Sequence, residues 1–167
     1  IYNVPVYETA VGFKYVAPMM IKENAIMGGE ESGGYGFNGH VIERDGILAN
    51  LYFLDMMVRT GKTPSQLIDY LYSKVGPHHY KRVDIPFPAA QRQAIIARVS
   101  DDAPGRIDNV RVARVNNADG FKFILEDNTW LLIRFSGTEP LLRIYTETDS
   151  PERAERILKI GRDIAGV

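Results

Sequence analysis

Apolar positions in the first half of the chain fall into short extended runs followed by two helical stripes. Val4 to Val6 and Val11 to Val16, rich in Val, Tyr and Phe, predict short strands, and Ala25 to Met27 predicts a third that enters a glycine-rich segment. The period then lengthens. Ile47, Leu48, Leu51, Leu54, Met57 and Val58 share one helical face, with Asp45 placed to cap the start and Gly61 the stop. A second helix is expected after Thr63. Thr63 with Gln66 makes a capping box, Pro64 stands at the first helical position, and Gly76 ends a stripe of Leu67, Ile68, Leu71 and Val75.

The segment Gly76-Pro77-His78-His79, with Pro86 and Pro88 soon after, interrupts the pattern and places a domain boundary near residue 79. Beyond it, Lys81 to Ile85 reads as a strand and Ala89 to Val99 as a helix with Ile95, Ile96 and Val99 inward. Val110 to Val115, Phe121 to Leu125, Thr129 to Phe135 and Leu141 to Thr148 read as strands. Turns at 116–120 and 126–128 join the first three of these as antiparallel hairpins. A last helix starts with Ser150 as N-cap and Pro151, and buries Ala154, Ile157, Leu158, Ile164 and Ala165. Glu152 with Arg156 and Glu155 with Lys159 stand at i,i+4 spacing on its outer face. The expected fold class is α/β for residues 1–79, as part of a layered domain, plus α+β with an antiparallel sheet for residues 80–167.

Composition narrows the class. The 167 residues are 45% hydrophobic and 25% charged, which excludes a disordered tail, a fibre and a membrane bundle. A formal charge of −1 gives no basic footprint for nucleic acid or an anionic membrane. No cysteine is present, so there is no disulfide framework or thiolate metal site, and a reducing compartment is the simplest reading. The longest apolar-rich stretch, Ile47 to Val58, is too short to span a bilayer and is interrupted by Asp55. The chain opens with Ile1-Tyr2-Asn3 and not Met, which is expected of a piece cut from something longer.

Two loops carry candidate chemistry. Residues 28–39 hold six glycines, far above a background of ~7%. Within them, Gly28-Gly29-Glu30-Glu31-Ser32-Gly33-Gly34 sets two adjacent acids and a hydroxyl on a backbone free to approach a ligand. Carboxylates there suit the vicinal hydroxyls of a sugar. The residues alone leave open whether this is such a contact or a solvated turn. The second loop, Arg134-Phe135-Ser136-Gly137-Thr138-Glu139-Pro140, lies between two expected strands. Arg134 offers a two-pronged donor to a phosphate, Ser136 and Thr138 bring hydroxyls, and Gly137 frees backbone N–H groups. Arg143 adds charge from the same face as Tyr145. Here too an ordinary tight turn with an exposed arginine stays open. The pattern matches neither the Walker motif nor the dinucleotide fingerprint.

Smaller candidates are weaker. Lys14 follows Gly12-Phe13 at an expected strand end, where it suits either a phosphate or plain solvent. His40, His78 and His79 lack metal-ligand spacing and read as surface or packing residues. Arg44, just before Asp45, opposes the dipole of the helix that follows, a small cost that a nearby phosphate would offset.

In order and spacing, the two loops resemble the α-D-phosphohexomutases, the phosphoglucomutase and phosphomannomutase superfamily. Gly29-Glu30-Glu31-Ser32-Gly33-Gly34 is similar to that family's sugar-binding loop, and Arg134 to Pro140 to its phosphate-binding loop. Val11-Gly12-Phe13-Lys14-Tyr15 and Arg44-Asp45-Gly46-Ile47 fit as well, so the resemblance runs over essentially the whole chain. It implies a piece of a four-domain protein. Residues 1–79 would be the later part of the third domain. Residues 80–167 would be the fourth, whose fold resembles half of the TATA-binding protein.

The resemblance also implies an activity for the parent protein. That activity is an intramolecular phosphotransferase of carbohydrate metabolism, an isomerase that interconverts hexose 1-phosphate and hexose 6-phosphate. It runs through a phosphoserine, Mg²⁺ and a hexose 1,6-bisphosphate. The phosphoserine and the Mg²⁺ aspartates belong to N-terminal domains absent from this chain, so no catalytic or metal-binding residue is expected here and the piece alone would be inactive. Glu30, Ser32, Lys14 and Arg44 would bind substrate. Arg134, Ser136, Gly137 and Thr138 would bind phosphate, with the two loops facing a shared crevice. Partners would be the hexose phosphate and the missing domains of the same protein, with no nucleic acid and no membrane, in the cytoplasm. Some relatives, phosphoglucosamine mutases among them, carry His at the position of Gly34, and several phosphoglucomutases carry Lys at that of Arg44. The alternative is a non-catalytic phosphate- or protein-binding module that keeps the loops.

Overall fold

The computed structural model describes residues 3–101 and 103–167. Contacts divide the chain into two compact units between Tyr70 and Leu71.

In the first unit, residues 4–10 have no regular structure, so the strand expected over Val4 to Val6 is absent. The strand expected over Val11 to Val16 is instead the start of a helix, α1 (Phe13–Glu23), which enters from Gly12 at φ 122° and leaves through Asn24 in the left-handed region. The 3.6-residue period decides this. Phe13, Val16 and Met20 fall on one face and are buried together, with Ala17, Ala25 and Ile42 against them. Pro18 inside the helix and the β-branched, aromatic composition pointed the other way. A short antiparallel hairpin follows, β1 (Met27–Gly29) with β2 (Tyr35–Phe37), so the expected strand lies two residues further on.

The next two helices form where the caps predict. α2 (Gly46–Thr60) starts under Asp45, whose Oδ1 accepts the Leu48 N–H at 2.9 Å, and stops at Gly61 with φ 64°. α3 (Pro64–Val75) is held by the capping box. Gln66 Oε1 accepts from Thr63 N–H at 2.9 Å, and Thr63 Oγ1 accepts from Gln66 N–H at 3.4 Å. Their stripes are not covered as the pattern suggests. Ile47 is 78% exposed and Val58 75%, and no residue of α2 is buried. Leu67 alone of the α3 stripe is buried. An apolar helix face needs a sheet or a second helix to bury it, and the only sheet before residue 70 among the described residues has two strands of three residues each.

In the second unit an antiparallel sheet runs β3-β8-β7-β6-β5-β4 in space. Its strands are β3 (His79–Pro86), β4 (Arg106–Ile107), β5 (Val110–Asn116), β6 (Phe121–Leu125), β7 (Trp130–Phe135) and β8 (Leu141–Thr148). β4 was not anticipated; two residues carry too little pattern to read. Two helices serve the sheet, α4 (Arg92–Asp101), preceded by a 3₁₀ turn over 89–91, and α5 (Pro151–Ala165). Side chains alternate across each strand. Phe123, Leu125, Leu131, Ile133, Leu142 and Ile144 therefore share one face and pack on Ile95 and Val99 of α4 and Ile157 and Leu158 of α5.

Ser150 stands at the N-cap of α5, as expected, but its hydroxyl makes no capping bond. The i,i+4 pairs foreseen on that helix give way to longer reaches: Arg156 bonds Asp108 and Glu155 pairs with Lys81.

Candidate functional site

The acidic loop is the connection of the β1–β2 hairpin. Gly29 opposes Tyr35, Glu30 N–H donates to the Gly34 carbonyl at 2.9 Å, and Gly33 N–H donates to the Glu30 carbonyl at 3.0 Å. Gly33 sits at φ 92°, which a side chain would strain. The hairpin also lies close on α1, because a Cβ at Gly28 would come within 2.5 Å of Val16 Cγ1 and Met20 Sδ. Gly28 thus lets the hairpin strand come down on the helix, and the loop extends from it.

Glu30 is held and largely covered. Its side chain is 12% exposed, and its Oε2 lies 3.4 Å from Nη1 of Arg44. Arg44 in turn donates from its backbone N–H and from Nε to Glu43 Oε1, at 2.8 and 3.2 Å, and its guanidinium lies over the Phe13 ring. The Glu43 carboxyl is held below its ordinary value, first by the backbone N–H of Arg44 and then by its side chain. Asp45, the next residue, is also lowered, by the Leu48 N–H and by His40, whose Nε2 is 3.0 Å from Oδ2. Ser32 is exposed at the tip of the loop. Of the expected sugar ligands, then, Glu30 and Arg44 are brought together. Lys14 lies not at a strand end but in the first turn of α1, with its ammonium 4.9 Å from the centre of the Tyr15 ring.

The cationic turn joins β7 to β8. The two strands close at Phe135 opposite Leu142, and Ser136 N–H donates to the Leu141 carbonyl at 2.9 Å. Ser136 is buried, and its Oγ lies 3.4 Å from Thr138 N and 3.5 Å from Thr138 Oγ1. Gly137 is exposed, has no left-handed φ, and has open space where a Cβ would point. Neither its conformation nor its neighbours demand glycine.

Arg134 and Arg143 face each other directly across β7 and β8. Like charges in that position destabilise a sheet unless something offsets them. Carboxylates do so in part. Arg134 Nε donates to Asp119 Oδ2 at 2.9 Å. Arg143 Nη2 lies 3.4 Å from Glu139 Oε2, and its Nε is 3.6 Å from Asp84 Oδ2. That Nε is buried and makes no hydrogen bond among the described residues. Asp84 also pairs with Arg82 at 2.9 Å. Asp84 and Asp119 were not singled out from the sequence. The strand register explains the position of Asp119: Phe121 pairs with Ile133, which sets Gly120 opposite Arg134 and Asp119 one residue further along.

Among the described residues no group of three or more His, Asp or Glu side chains is arranged to hold a metal ion, and no helix is long and apolar enough to cross a membrane.

Comparison with known proteins bears on both units. The phosphoglucomutase/phosphomannomutase alpha/beta/alpha domain III model matches residues 1–75, and the phosphoglucomutase/phosphomannomutase C-terminal domain model matches residues 95–162. A phosphoglucomutase/phosphomannomutase of Thermococcus kodakarensis is 35% identical over 156 residues, which is 93% of this chain and 32% of that protein. A phosphoglucosamine mutase of Methanocaldococcus jannaschii is 32% identical over 159 residues, 95% of this chain and 34% of that protein. The crystal structure of a Thermus thermophilus protein assigned as a phosphomannomutase superposes with a TM-score of 0.77 at 30% identity, covering 99% of this chain and 32% of that one. The chain belongs to the phosphoglucomutase/phosphomannomutase family and carries the fold of its domains III and IV. It spans about a third of the length of the curated relatives it matches.

Proposed function

We propose that the whole protein carrying this chain is a cytoplasmic phosphoglucomutase or phosphomannomutase that interconverts hexose 1-phosphate and hexose 6-phosphate. Residues 1–79 contribute recognition of the sugar and residues 80–167 recognition of a phosphate. Glu30 and Ser32 accept or donate hydrogen bonds to sugar hydroxyls, and Arg44 and Lys14 contribute positive charge beside them. Arg134, Ser136, Gly137 and Thr138 bind the phosphate that is not being transferred. Phosphoryl transfer depends on positioning and on spreading charge over phosphate oxygens, and these residues supply the positioning.

The observation that carries the reading is the cross-strand Arg134–Arg143 pair beside the Ser136–Thr138 turn. Two cross-strand arginines stand on the strands that flank a turn carrying two hydroxyls and an unencumbered glycine backbone. A phosphate dianion beside the pair would offset the part of the repulsion that the carboxylates leave. Mg²⁺, the phosphoserine and the bisphosphate intermediate are proposed for the whole protein. The described residues do not form a metal-binding cluster.

A mutase assay tests the proposal. The full-length protein should convert glucose 1-phosphate or mannose 1-phosphate to the 6-phosphate, whereas the 167-residue chain alone should not. No turnover by the full-length protein with either hexose, or turnover by this chain alone, contradicts it.

A further inference from the structure

We propose that Asp119 is a positioning residue for phosphate recognition: it grips Arg134 through Nε and thereby aims the other edge of the guanidinium at the phosphate. The inference rests on the phosphate-binding role of the Arg134 turn proposed above.

A guanidinium is planar and includes the Nε–Cδ bond, so where packing holds Cδ, fixing the Nε–H direction fixes the plane. Asp119 Oδ2 is 2.9 Å from Arg134 Nε. The Nη1–Nη2 edge, which matches two oxygens of a phosphate, is not the edge Asp119 holds. The arginine is packed, its side chain 13% exposed. The turn that carries Asp119 is seated on β7 at this residue. Gly120 has φ 95°, and a Cβ on it would lie 2.6 Å from the Ile133 carbonyl oxygen and 3.0 Å from Arg134 Cβ. Only a residue without a side chain lets the turn come down this far. The turn is also braced from within, since Asn116 Oδ1 accepts the Ala118 N–H at 3.0 Å. Asp119 and Gly120 thus form a seat against Arg134.

Positioning and charge make opposite predictions. A carboxylate beside Arg134 weakens its pull on an anion. If charge were all that Asp119 contributed, removing it would tighten phosphate binding. If orientation dominates, removing it loosens binding, and an uncharged acceptor of the same shape restores it.

The test is calorimetric titration of glucose 1,6-bisphosphate into the full-length protein and its Arg134→Ala, Asp119→Ala and Asp119→Asn variants. Arg134→Ala should weaken binding by ~30-fold or more and Asp119→Ala by roughly 10-fold, with Asp119→Asn within about 3-fold of the unaltered protein. Unchanged binding by Arg134→Ala overturns the phosphate reading itself. Weakened binding by Arg134→Ala with unchanged or tighter binding by Asp119→Ala overturns only the positioning role. Asp119→Asn as weak as Asp119→Ala overturns it too, because the acceptor would then not be what matters. Should Asp119→Ala fail to fold, the Arg134 Nε–H resonance of the unaltered protein decides. Slow solvent exchange of that proton supports the grip, and exchange as fast as for an exposed arginine overturns it.

Discussion

Arg44 reaches Glu30 over the backbone of Gly34. Nη1 and Oε2 are 3.4 Å apart, and a Cβ on residue 34 would come within 2.5 Å of Arg44 Cδ and 3.5 Å of Glu30 Oε2. Residue 34 and the Arg44 side chain compete for one space. Gly34→Ala should therefore displace Arg44 and break its pairing with Glu30. Gly34 is not in the left-handed region and the clash is with the flexible part of Arg44, so stability should fall by less than about 1 kcal/mol. In the full-length protein the KM for glucose 1-phosphate should change by roughly 3–10-fold. An unchanged KM with an unchanged melting temperature would show that the pairing has no part in recognition.

Arg153 supports a different prediction, about acid. Its side chain is 12% exposed and reaches Asp108 at 3.0 Å, Asp127 at 2.6 Å and Asp149 at 3.4 Å. It thus ties the start of α5 to the turns before β5 and β7. Burial pushes the Asp108 and Asp127 carboxyls up, but hydrogen bonds from Arg156 and Arg153 to Asp108, and from Arg153 and Thr129 to Asp127, outweigh it and hold both below the ordinary carboxylate value. A lowered folded-state pKa stabilises the fold above the unfolded value, ~3.9, and that stabilisation is lost as pH falls through the depressed value. Denaturant titrations at pH 7 and below 4 should show this loss, and Asp108→Asn should flatten it. Arg153→Ala should cost about 1 kcal/mol at pH 7, because it removes one partner from the half-buried Asp108, which keeps Arg156, and one from the more exposed Asp127. A pH dependence identical in Asp108→Asn and the unaltered protein would contradict the assignment.

Gly161 tests the packing of α5 on the sheet. Alanine there would improve helix propensity by about 1 kcal/mol. Its Cβ would also lie 2.7 Å from Ile144 Cγ2 and 2.9 Å from Leu131 Cδ1, both fully buried. Overpacking of that kind costs about 1–3 kcal/mol, so Gly161→Ala should lower the melting temperature. A rise would show that the helix sits further from the sheet than described.

The second unit was largely legible in the sequence. Apolar, β-branched and aromatic runs bounded by turn residues marked β5 to β8, and in the preceding segment the ends of α2 and α3 followed from Asp45, Gly61, Thr63 and Gln66 because caps are local. The start of the chain was misread for a physical reason. Val11 to Val16 has strand-like composition, but Phe13, Val16 and Met20 keep helical spacing, and burial of that face prevails over propensity. The apolar stripe of α2 was read correctly as a pattern, yet nothing in a helix's own sequence says what will cover it, and Ile47 and Val58 remain exposed. At the site, the residue types in both loops were legible. The carboxylates behind the arginines were not, because Asp119 lies 15 residues from Arg134 and Asp84 lies on a strand far from Arg143 in sequence.

The most direct test of the account is the steady-state KM of the full-length protein for glucose 1-phosphate after Arg134→Ala. Loss of charge-assisted bonds to phosphate should raise it by about 1.5–3 kcal/mol in binding terms, roughly 10- to 150-fold. The circular dichroism spectrum should be unaltered. A KM equal to that of the unaltered protein, in a folded variant, would contradict the claim that this turn holds the substrate.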